Sequence, residues 1–264
     1  MARKIVITSG KGGVGKTSIT ASLGNRLANR GKSVLLVDAD IGLNNLDVVL
    51  GAESRVVYDM SDVIEGKCVI KQAIIQDENN CNLYLLPSAH GYNNSALTAQ
   101  SFRQLTGKLD ANFDFILIDC PAGIDDGFHR AVSGADEAII ITTPHVSSIR
   151  DADKVLSMLM SYDLNGVNVI VNRCRGDLIL QGEMMSGEEI CKILRCPLVG
   201  IVPEDDNIAV YSQLGKIGMN SAFSRISFDM VAENILSGDR RLYDVTARFR
   251  GVIGKLKMWL ERSV

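Results

Sequence analysis

Residues 9–18 constrain the fold of this chain more than any other stretch. They read Ser-Gly-Lys-Gly-Gly-Val-Gly-Lys-Thr-Ser, follow an apolar run at residues 5–7 and precede a helical pattern that begins at Ile19. The pattern G-x-x-x-x-G-K-[ST] forms a phosphate-binding loop when it joins a strand to a helix. Glycines let successive backbone N–H groups point at phosphate oxygens, and the helix N-terminus adds positive potential. The sequence therefore predicts a nucleotide-binding protein.

The residues of this loop are expected to surround the phosphates of the nucleotide. They are Gly10, Lys11, Gly12, Gly13, Val14, Gly15, Lys16, Thr17 and Ser18. In such a loop Lys16 would reach the β- and γ-phosphates, and the Thr17 hydroxyl would ligate Mg²⁺. The alternative is a glycine-rich turn with an unrelated lysine, which the strand–loop–helix context disfavours.

The whole chain is long enough to bury one substantial core, since it has 264 residues of which 46% are hydrophobic. The six cysteines are scattered and none forms C-x-x-C, which argues against a zinc or cluster site and fits reduced thiols in a cytosolic protein. No apolar stretch approaches 18 residues and no signal peptide is expected, so we predict no membrane-spanning segment.

Apolar runs alternate with helical patterns along the chain. This alternation predicts an α/β fold with a doubly wound, mostly parallel sheet and helices on both faces. The predicted strands are residues 4–8, 33–38, 82–86, 115–119, 138–142, 167–172 and 198–202. The predicted helices are residues 17–30, 97–109, 126–133, 147–161, 186–194, 205–214, 222–237 and 242–261. Ligands bind at the carboxyl ends of such strands, so we expect the site there.

Carboxylates follow two of these strands. Asp38 and Asp40 end the second strand, where they could serve as a metal-shell group and a water-orienting group, or as a polar turn with a helix cap. Asp119 ends the apolar run 115–119 in the Walker B pattern, and a hard cation prefers oxygen ligands. We therefore predict Thr17, Asp119 and Asp38 around Mg²⁺. Gly123 could offer its N–H to the γ-phosphate.

Residues after the sixth and seventh strands are the candidates for base binding. Asn172 and Arg173 follow the sixth strand, and an asparagine amide can pair with the adenine edge through its donor and acceptor together. The residues that would form the wall beside the base are Pro203, Glu204 and Asp205. The sequence alone leaves guanine open.

The C-terminal residues carry an apolar stripe with basic flanks. On a helix, an arc of about 120° would contain Leu242, Val245, Phe249, Val252, Ile253, Leu256, Trp259 and Leu260. Residues 240–262 carry a net charge of +5, against −8 for the rest of the chain. We predict an ATPase domain over residues 1–238 and an amphipathic membrane-targeting helix over 239–264. Its membrane residues would be Phe249, Val252, Ile253, Leu256, Trp259 and Leu260. A terminal helix docked on the sheet is the alternative.

Lys11 places a second lysine in the loop and gives it the form K-G-G-x-G-K-[ST]. With this loop the chain resembles the MinD/ParA family of deviant Walker A ATPases. Residues 38–43, 55–59, 119–123, 146–151 and 203–205 and the tail resemble the septum-site-determining members. The resemblance implies that Lys11 reaches across a dimer interface to the partner's phosphates. It also implies that Asp40 positions the attacking water and that Asp38 lies near the Mg²⁺ shell, so Lys11, Lys16 and Asp40 are the expected catalytic residues.

The resemblance further implies a Mg²⁺-dependent ATPase that binds ATP and ADP and forms a homodimer with ATP. Such a protein is cytoplasmic and peripheral on the inner face of the cell membrane, where it helps to select the division site. Its partners would be an anionic membrane surface, a MinC-like division inhibitor, and a MinE-like activator or a DivIVA-type substitute. The alternatives are a flagellar-number regulator of the same class, a ParA-type DNA-partitioning ATPase and a scaffold that binds ATP without hydrolysis. Because the positive charge lies on the amphipathic tail, the sequence argues against a nucleic-acid partner.

Overall fold

Eight strands form one sheet in the computed structural model, which describes residues 1–41, 45–88, 96–216 and 221–251. The strands are β1 (Arg3–Thr8), β2 (Val34–Asp38), β3 (Ile75–Gln76), β4 (Leu83–Leu86), β5 (Phe115–Asp119), β6 (Glu137–Thr142), β7 (Gly166–Cys174) and β8 (Leu198–Pro203). Their order across the sheet is β3-β4-β2-β5-β1-β6-β7-β8. Neighbouring strands run parallel, except that β3 is antiparallel to β4.

Helices connect the parallel strands. They are α1 (Lys16–Ala28), α2 (Leu46–Leu50), α3 (Met60–Ile64), α4 (Ile70–Ala73), α5 (Ala99–Lys108), α6 (Asp126–Ser133), α7 (Val146–Leu159), α8 (Gly176–Leu180), α9 (Gly187–Leu194), α10 (Asp206–Gln213) and α11 (Ala222–Ser237). Within the described parts of the chain, no helix is both long and apolar enough to cross a membrane.

Both faces of the sheet are buried. Along β1, Val6 belongs to one apolar cluster while Ile5 and Ile7 belong to a second one on the opposite face. Strand β2 alternates in the same way, with Leu35 in the first cluster and Leu36 in the second. Side chains of a strand point alternately to its two faces, so a strand covered on both faces needs a continuous apolar run. This explains why the central strands were recognisable in the sequence.

The predicted α/β architecture is confirmed. Each of the seven predicted strands exists, with ends that differ by at most two residues from the prediction. The helices predicted at 126–133 and 222–237 have those same bounds. Among the described residues, the elements that the sequence analysis did not predict are β3, α2, α3, α4, α8 and a 3₁₀ turn at Glu53–Arg55, each of five residues or fewer. Such segments are shorter than the window that reveals periodicity.

The prediction of a helix from residue 242 is wrong. Residues 242–246 are not helical, and a short 3₁₀ turn at Ala247–Phe249 follows them. The Asp244 carboxylate accepts hydrogen bonds from the Thr246 N–H at 3.0 Å and from the Thr246 hydroxyl at 2.6 Å. Such local side-chain bonds offer the backbone an alternative to the helix. Residues 252–264 of the predicted helix lie outside the described residues.

Candidate nucleotide-binding site

The predicted site residues meet at the carboxyl ends of the central strands. The loop 9–15 follows β1, while Asp38 ends β2 and Asp119 ends β5. Strands β2 and β5 are hydrogen-bonded neighbours, and their register pairs Asp38 with Asp119. Strand β1 lies on the other side of β5 and pairs Ile7 with Asp119. The parallel topology therefore brings the loop and both carboxylates to one edge of the sheet.

Two glycines of the loop adopt backbone conformations that favour glycine. Gly13 has φ of 76° and Gly15 has φ of 96°, both in the left-handed region. A Cβ atom on Gly15 would lie 2.6 Å from Asn172 Nδ2, and one on Gly10 would lie 2.4 Å from the Asp151 carbonyl oxygen. The loop thus packs closely against the end of β7 and the first turns of α7, and these positions do not tolerate a side chain.

Ser9 connects the two lysines of the loop. The buried Lys16 Nζ donates to Ser9 Oγ at 3.0 Å, and the Ser9 hydroxyl donates to the Lys11 carbonyl at 2.8 Å. The Ser9 carbonyl accepts the Gly123 N–H at 3.2 Å. Gly123 therefore lies beside the loop, as a γ-phosphate donor must, although its N–H is bonded to the protein here. The Lys11 side chain is exposed.

The two paired carboxylates are buried together. Burial, with the neighbouring Asp119, raises the pKa of Asp38 to about 8, and burial raises the pKa of Asp119 to about 6. Thr17 and Thr20 hydroxyls hydrogen-bond to Asp119, the latter at 3.2 Å. Like charges in low dielectric repel, so a cation at this position would stabilise both ionised forms.

These residues fit a Mg²⁺ ion that is shared with a nucleotide. The donors are hard oxygens, as Mg²⁺ prefers, and Thr17 lies within hydrogen-bonding reach of Asp119. Among the described residues, no three His, Cys, Asp or Glu side chains form a metal cluster.

Asp38 has a structural role besides its proximity to Asp119. Its Oδ1 accepts the Asp40 N–H at 3.0 Å, and its Oδ2 accepts the Leu46 N–H at 3.1 Å. It therefore bonds to the chain on both sides of residues 42–44, which lie outside the described residues. Asp40 is half-buried; burial raises its pKa, while the positive charge of Lys16 opposes that shift. Asp40 thus lies within the electrostatic reach of Lys16, as a group beside the γ-phosphate should.

The predicted base-binding residues line one cavity of about 180 Å³. Its lining consists of Gly15, Ser18, Asn172, Arg173, Pro203, Glu204, Asp205, Asp206 and Ile208. Two of these side chains also support the structure of the site. Asn172 Nδ2 donates to the Val14 carbonyl at 2.8 Å, which ties β7 to the phosphate loop. The Asp205 carboxylate accepts the N–H groups of Asn207 and Ser221, each at 3.1 Å.

Phe249, one of the residues predicted to contact a membrane, is packed into the folded domain in this structure. Phe249 is 2% exposed, and Val245, on the same predicted stripe, is 7% exposed and belongs to the main apolar cluster. The remaining predicted membrane residues, Val252, Ile253, Leu256, Trp259 and Leu260, lie outside the described residues. The first part of the stripe is therefore buried against the domain, as the docked alternative would have it, although that part is not an α-helix.

Sequence reasoning missed two hydroxyl groups of the site. Ser9 was part of the motif but received no role, and Thr20 was not considered. Thr20 lies one helical turn after Lys16 and Thr17, so it shares their face of α1, where its hydroxyl reaches both the Lys16 carbonyl and Asp119. That spacing is a signal that could have identified Thr20 from the sequence.

The sheet topology, the glycine loop and the paired carboxylates define a class, the P-loop nucleotide-binding proteins with a deviant loop. Residues 2–168 match the family described as an AAA domain. The septum site-determining protein MinD of Bacillus subtilis is 42% identical over 261 residues, which cover 97% of this chain and 97% of that protein.

Solved structures of MinD proteins also resemble this one. The MinC:MinD cell division protein complex of Aquifex aeolicus matches with a TM-score of 0.83 and 41% identity, covering 90% of this chain and 97% of that chain. The septum site-determining protein MinD complexed with Mg-ADP, from Pyrococcus horikoshii, matches with a TM-score of 0.80 and 31% identity, again covering 90% and 97%. The chain belongs to the MinD family of septum site-determining proteins.

Proposed function

We propose that this chain is an ATP-hydrolysing switch that regulates where the bacterial division septum forms. One observation carries the proposal. A chain similar to MinD over nearly its whole length holds a phosphate loop with an exposed Lys11 beside Lys16, Asp40 and Asp119. The resemblance to the deviant Walker A ATPases implies that this exposed lysine distinguishes a dimerising ATPase from an ordinary P-loop protein.

The residues of the site can divide the hydrolytic work. In hydrolysis, a water oxygen bonds to the γ-phosphorus while the bond from that phosphorus to the β–γ bridging oxygen breaks, leaving ADP and phosphate. Lys16 would exchange Ser9 Oγ for the β- and γ-phosphate oxygens, and Asp40 would orient the attacking water. Thr17 and Asp119 would hold a Mg²⁺ ion, whose charge offsets the negative charge on the phosphate oxygens.

The partners of the chain follow from its family. The Aquifex relative forms a complex with MinC, so we propose a MinC-like inhibitor as a partner of this chain. A MinE-like activator or a DivIVA-type substitute would stimulate turnover, and residues 252–264 would bind the inner face of the membrane. Because residues 242–249 belong to the folded domain, we place the start of the membrane-binding segment after Gly251, later than the boundary at 238.

The alternatives receive less support. Similarity over 97% of this chain to a septum site-determining protein favours division-site regulation over flagellar or DNA-partitioning roles. A scaffold that binds ATP without hydrolysis would have no use for a water-orienting carboxylate beside Lys16. Two substitutions separate these roles experimentally.

Replacing Lys11 by Ala should abolish the ATP-dependent dimer and leave monomeric ADP binding within about threefold of wild type. Because the Lys11 side chain is exposed, the subunit's own loop should hold ADP without it, whereas a dimer in which it faces the partner's phosphates would lose charge-assisted bonds. Sedimentation velocity with ATP and with ADP measures the dimer. Lys108→Ala, which removes an exposed lysine at the end of α5, is the control. A normal ATP dimer of the Lys11 variant would rule out the cross-interface role.

Replacing Asp40 by Ala should lower ATP turnover by about 10²- to 10⁴-fold, the usual contribution of a positioned proton-transfer or water-orienting group. ATP affinity should be equal or higher, because a negative charge near Lys16 is removed. Phosphate release and equilibrium ATP binding are measured on the same preparation. Asp40→Asn, which keeps the size of the side chain, separates charge from shape. Wild-type turnover by the Ala variant would support the non-hydrolysing scaffold.

A further inference from the structure

Two neighbouring cavities share one wall. The base cavity of about 180 Å³ adjoins a second cavity of about 270 Å³, and both are lined by Pro203, Glu204 and Asp206. The far side of the second cavity is formed by Tyr243, Val245, Arg248 and Phe249. We call residues 242–250 the docking segment. Residues 203–206, at the end of β8, therefore have the base cavity on one side and the docking segment on the other.

The docking segment is fixed against the end of β7. A Cβ atom on Gly176 would lie 2.0 Å from the Val245 carbonyl oxygen and 3.0 Å from the Phe249 ring, so the segment occupies the space that a side chain would fill. Gly176 begins α8, directly after β7, the strand that supplies Asn172 and Arg173 to the base cavity. The Glu204 N–H donates to the Cys174 carbonyl at 3.1 Å, which joins the shared wall to the same strand.

Arg248 fixes the segment on its other side. Its guanidinium carbon lies 4.5 Å from the centroid of the Phe249 ring and 5.2 Å from that of Phe223, within the range of cation–π attraction. Phe223 belongs to the first turn of α11, whose N-cap Ser221 donates its N–H to Asp205 in the base cavity. The docking segment is thus connected to the wall of the base site by two routes, through β7 and through α11.

We propose that nucleotide occupancy of the base site and docking of residues 242–250 stabilise each other. This inference rests on the proposed function, because it takes the cavity lined by Asn172 and Pro203 as the base site. A nucleotide that orders the shared wall stabilises the surface on which the docking segment lies, and so favours docking. By linkage, a docked segment tightens nucleotide binding by the same factor. The docking segment ends where the proposed membrane-binding residues begin. Nucleotide binding therefore determines how firmly the chain that precedes those residues is held on the domain.

The test uses the full-length chain and ADP with Mg²⁺, which avoids ATP-dependent dimerisation. Arg248→Ala and Phe223→Ala should each weaken ADP binding by about fivefold or more, the lower end of usual coupling factors. Both side chains are exposed, so neither change leaves a cavity in the core. Ile226→Ala is the matched control, since it removes an exposed apolar side chain one turn further along α11. Hydrogen exchange of the amides of residues 242–250 should slow when ADP is added.

The outcomes separate the coupling from the function on which it rests. Wild-type ADP affinity in both variants, with exchange in 242–250 unchanged by ADP, would overturn the coupling and leave the proposed function intact. A wild-type chain that binds no ADP would overturn the proposed function and the coupling with it. An equal loss of ADP affinity in Ile226→Ala would show a general effect of changes in α11. It would also overturn the role of the Arg248 contact.

Discussion

Replacing Lys16 by Ala should weaken the binding of both ATP and ADP by about 30- to 1,000-fold. Lys16 is buried, and its ammonium group reaches Ser9 Oγ in the middle of the phosphate loop. Truncating one partner of a buried, hydrogen-bonded charge pair typically costs about 2–4 kcal/mol, and each 1.4 kcal/mol is a factor of ten in affinity. Isothermal titration with each nucleotide and Mg²⁺ measures the effect.

The control for this experiment keeps a hydrogen-bond donor on a side chain that is one atom shorter than lysine. Lys16→Gln retains a donor for the phosphates without the charge, so its affinity should fall between those of wild type and the Ala variant. Thermal unfolding should show that all three proteins are folded, because the resting bond of Lys16 to a neutral hydroxyl contributes only about 1.5–3 kcal/mol. Equal affinity of the Ala variant and wild type would refute the assignment of residues 9–18 as the phosphate loop.

Ending the chain at Gly251 should reduce ATP-dependent binding to anionic vesicles by about 10²- to 10⁴-fold. One apolar anchor binds a membrane only marginally, and joining two anchors in an ATP dimer gains affinity of that order. Co-sedimentation with vesicles in ATP, in ADP and without nucleotide measures this binding. Trp259→Glu, in the full-length chain, should give a loss of the same kind because it puts a charge on the apolar stripe.

The position of the truncation matters because of the docking segment. A chain ending at Gly238 would also remove Val245 and Phe249 from the folded domain, and burying one such side chain stabilises a fold by about 1.5–3 kcal/mol. Loss of vesicle binding would then be ambiguous between a missing tail and a damaged domain. Full vesicle binding by the chain ending at Gly251 would show that residues 252–264 are not the membrane anchor.

Much of the fold and of the site could be predicted from the sequence. The central strands are buried on both faces, so they appear as continuous apolar runs that end in polar residues such as Asp38 and Asp119. The phosphate loop was identifiable because its function requires particular residues at fixed spacing. Asn172 and Pro203 line one cavity beside the phosphate loop because the carboxyl ends of parallel strands meet at one edge of the sheet.

The C-terminal stripe shows why the rest could not be predicted. Periodicity shows that a helix face is apolar but does not show what covers that face. The sequence pattern therefore gave no way to distinguish Val245 and Phe249 from Val252 and Trp259. Only tertiary packing, above all the space left by Gly176, shows that Val245 and Phe249 are buried. Likewise, the two bonds of Asp38 to Asp40 and Leu46 depend on the path of the chain and not on any local pattern.

The bonds of Ser9 also affect which anions the loop will hold. Its hydroxyl accepts the Lys16 ammonium and its carbonyl accepts the Gly123 N–H, so two groups that would bind phosphate already have internal acceptors. Any incoming anion must replace those bonds, each worth about 0.5–3 kcal/mol. A small ion such as sulfate makes few contacts and gains little from the exchange, whereas a di- or triphosphate spans the loop and offsets the cost many times. Ser9 thereby lowers the affinity of the loop for every anion, so tight binding requires a ligand that makes many phosphate contacts, such as a nucleotide.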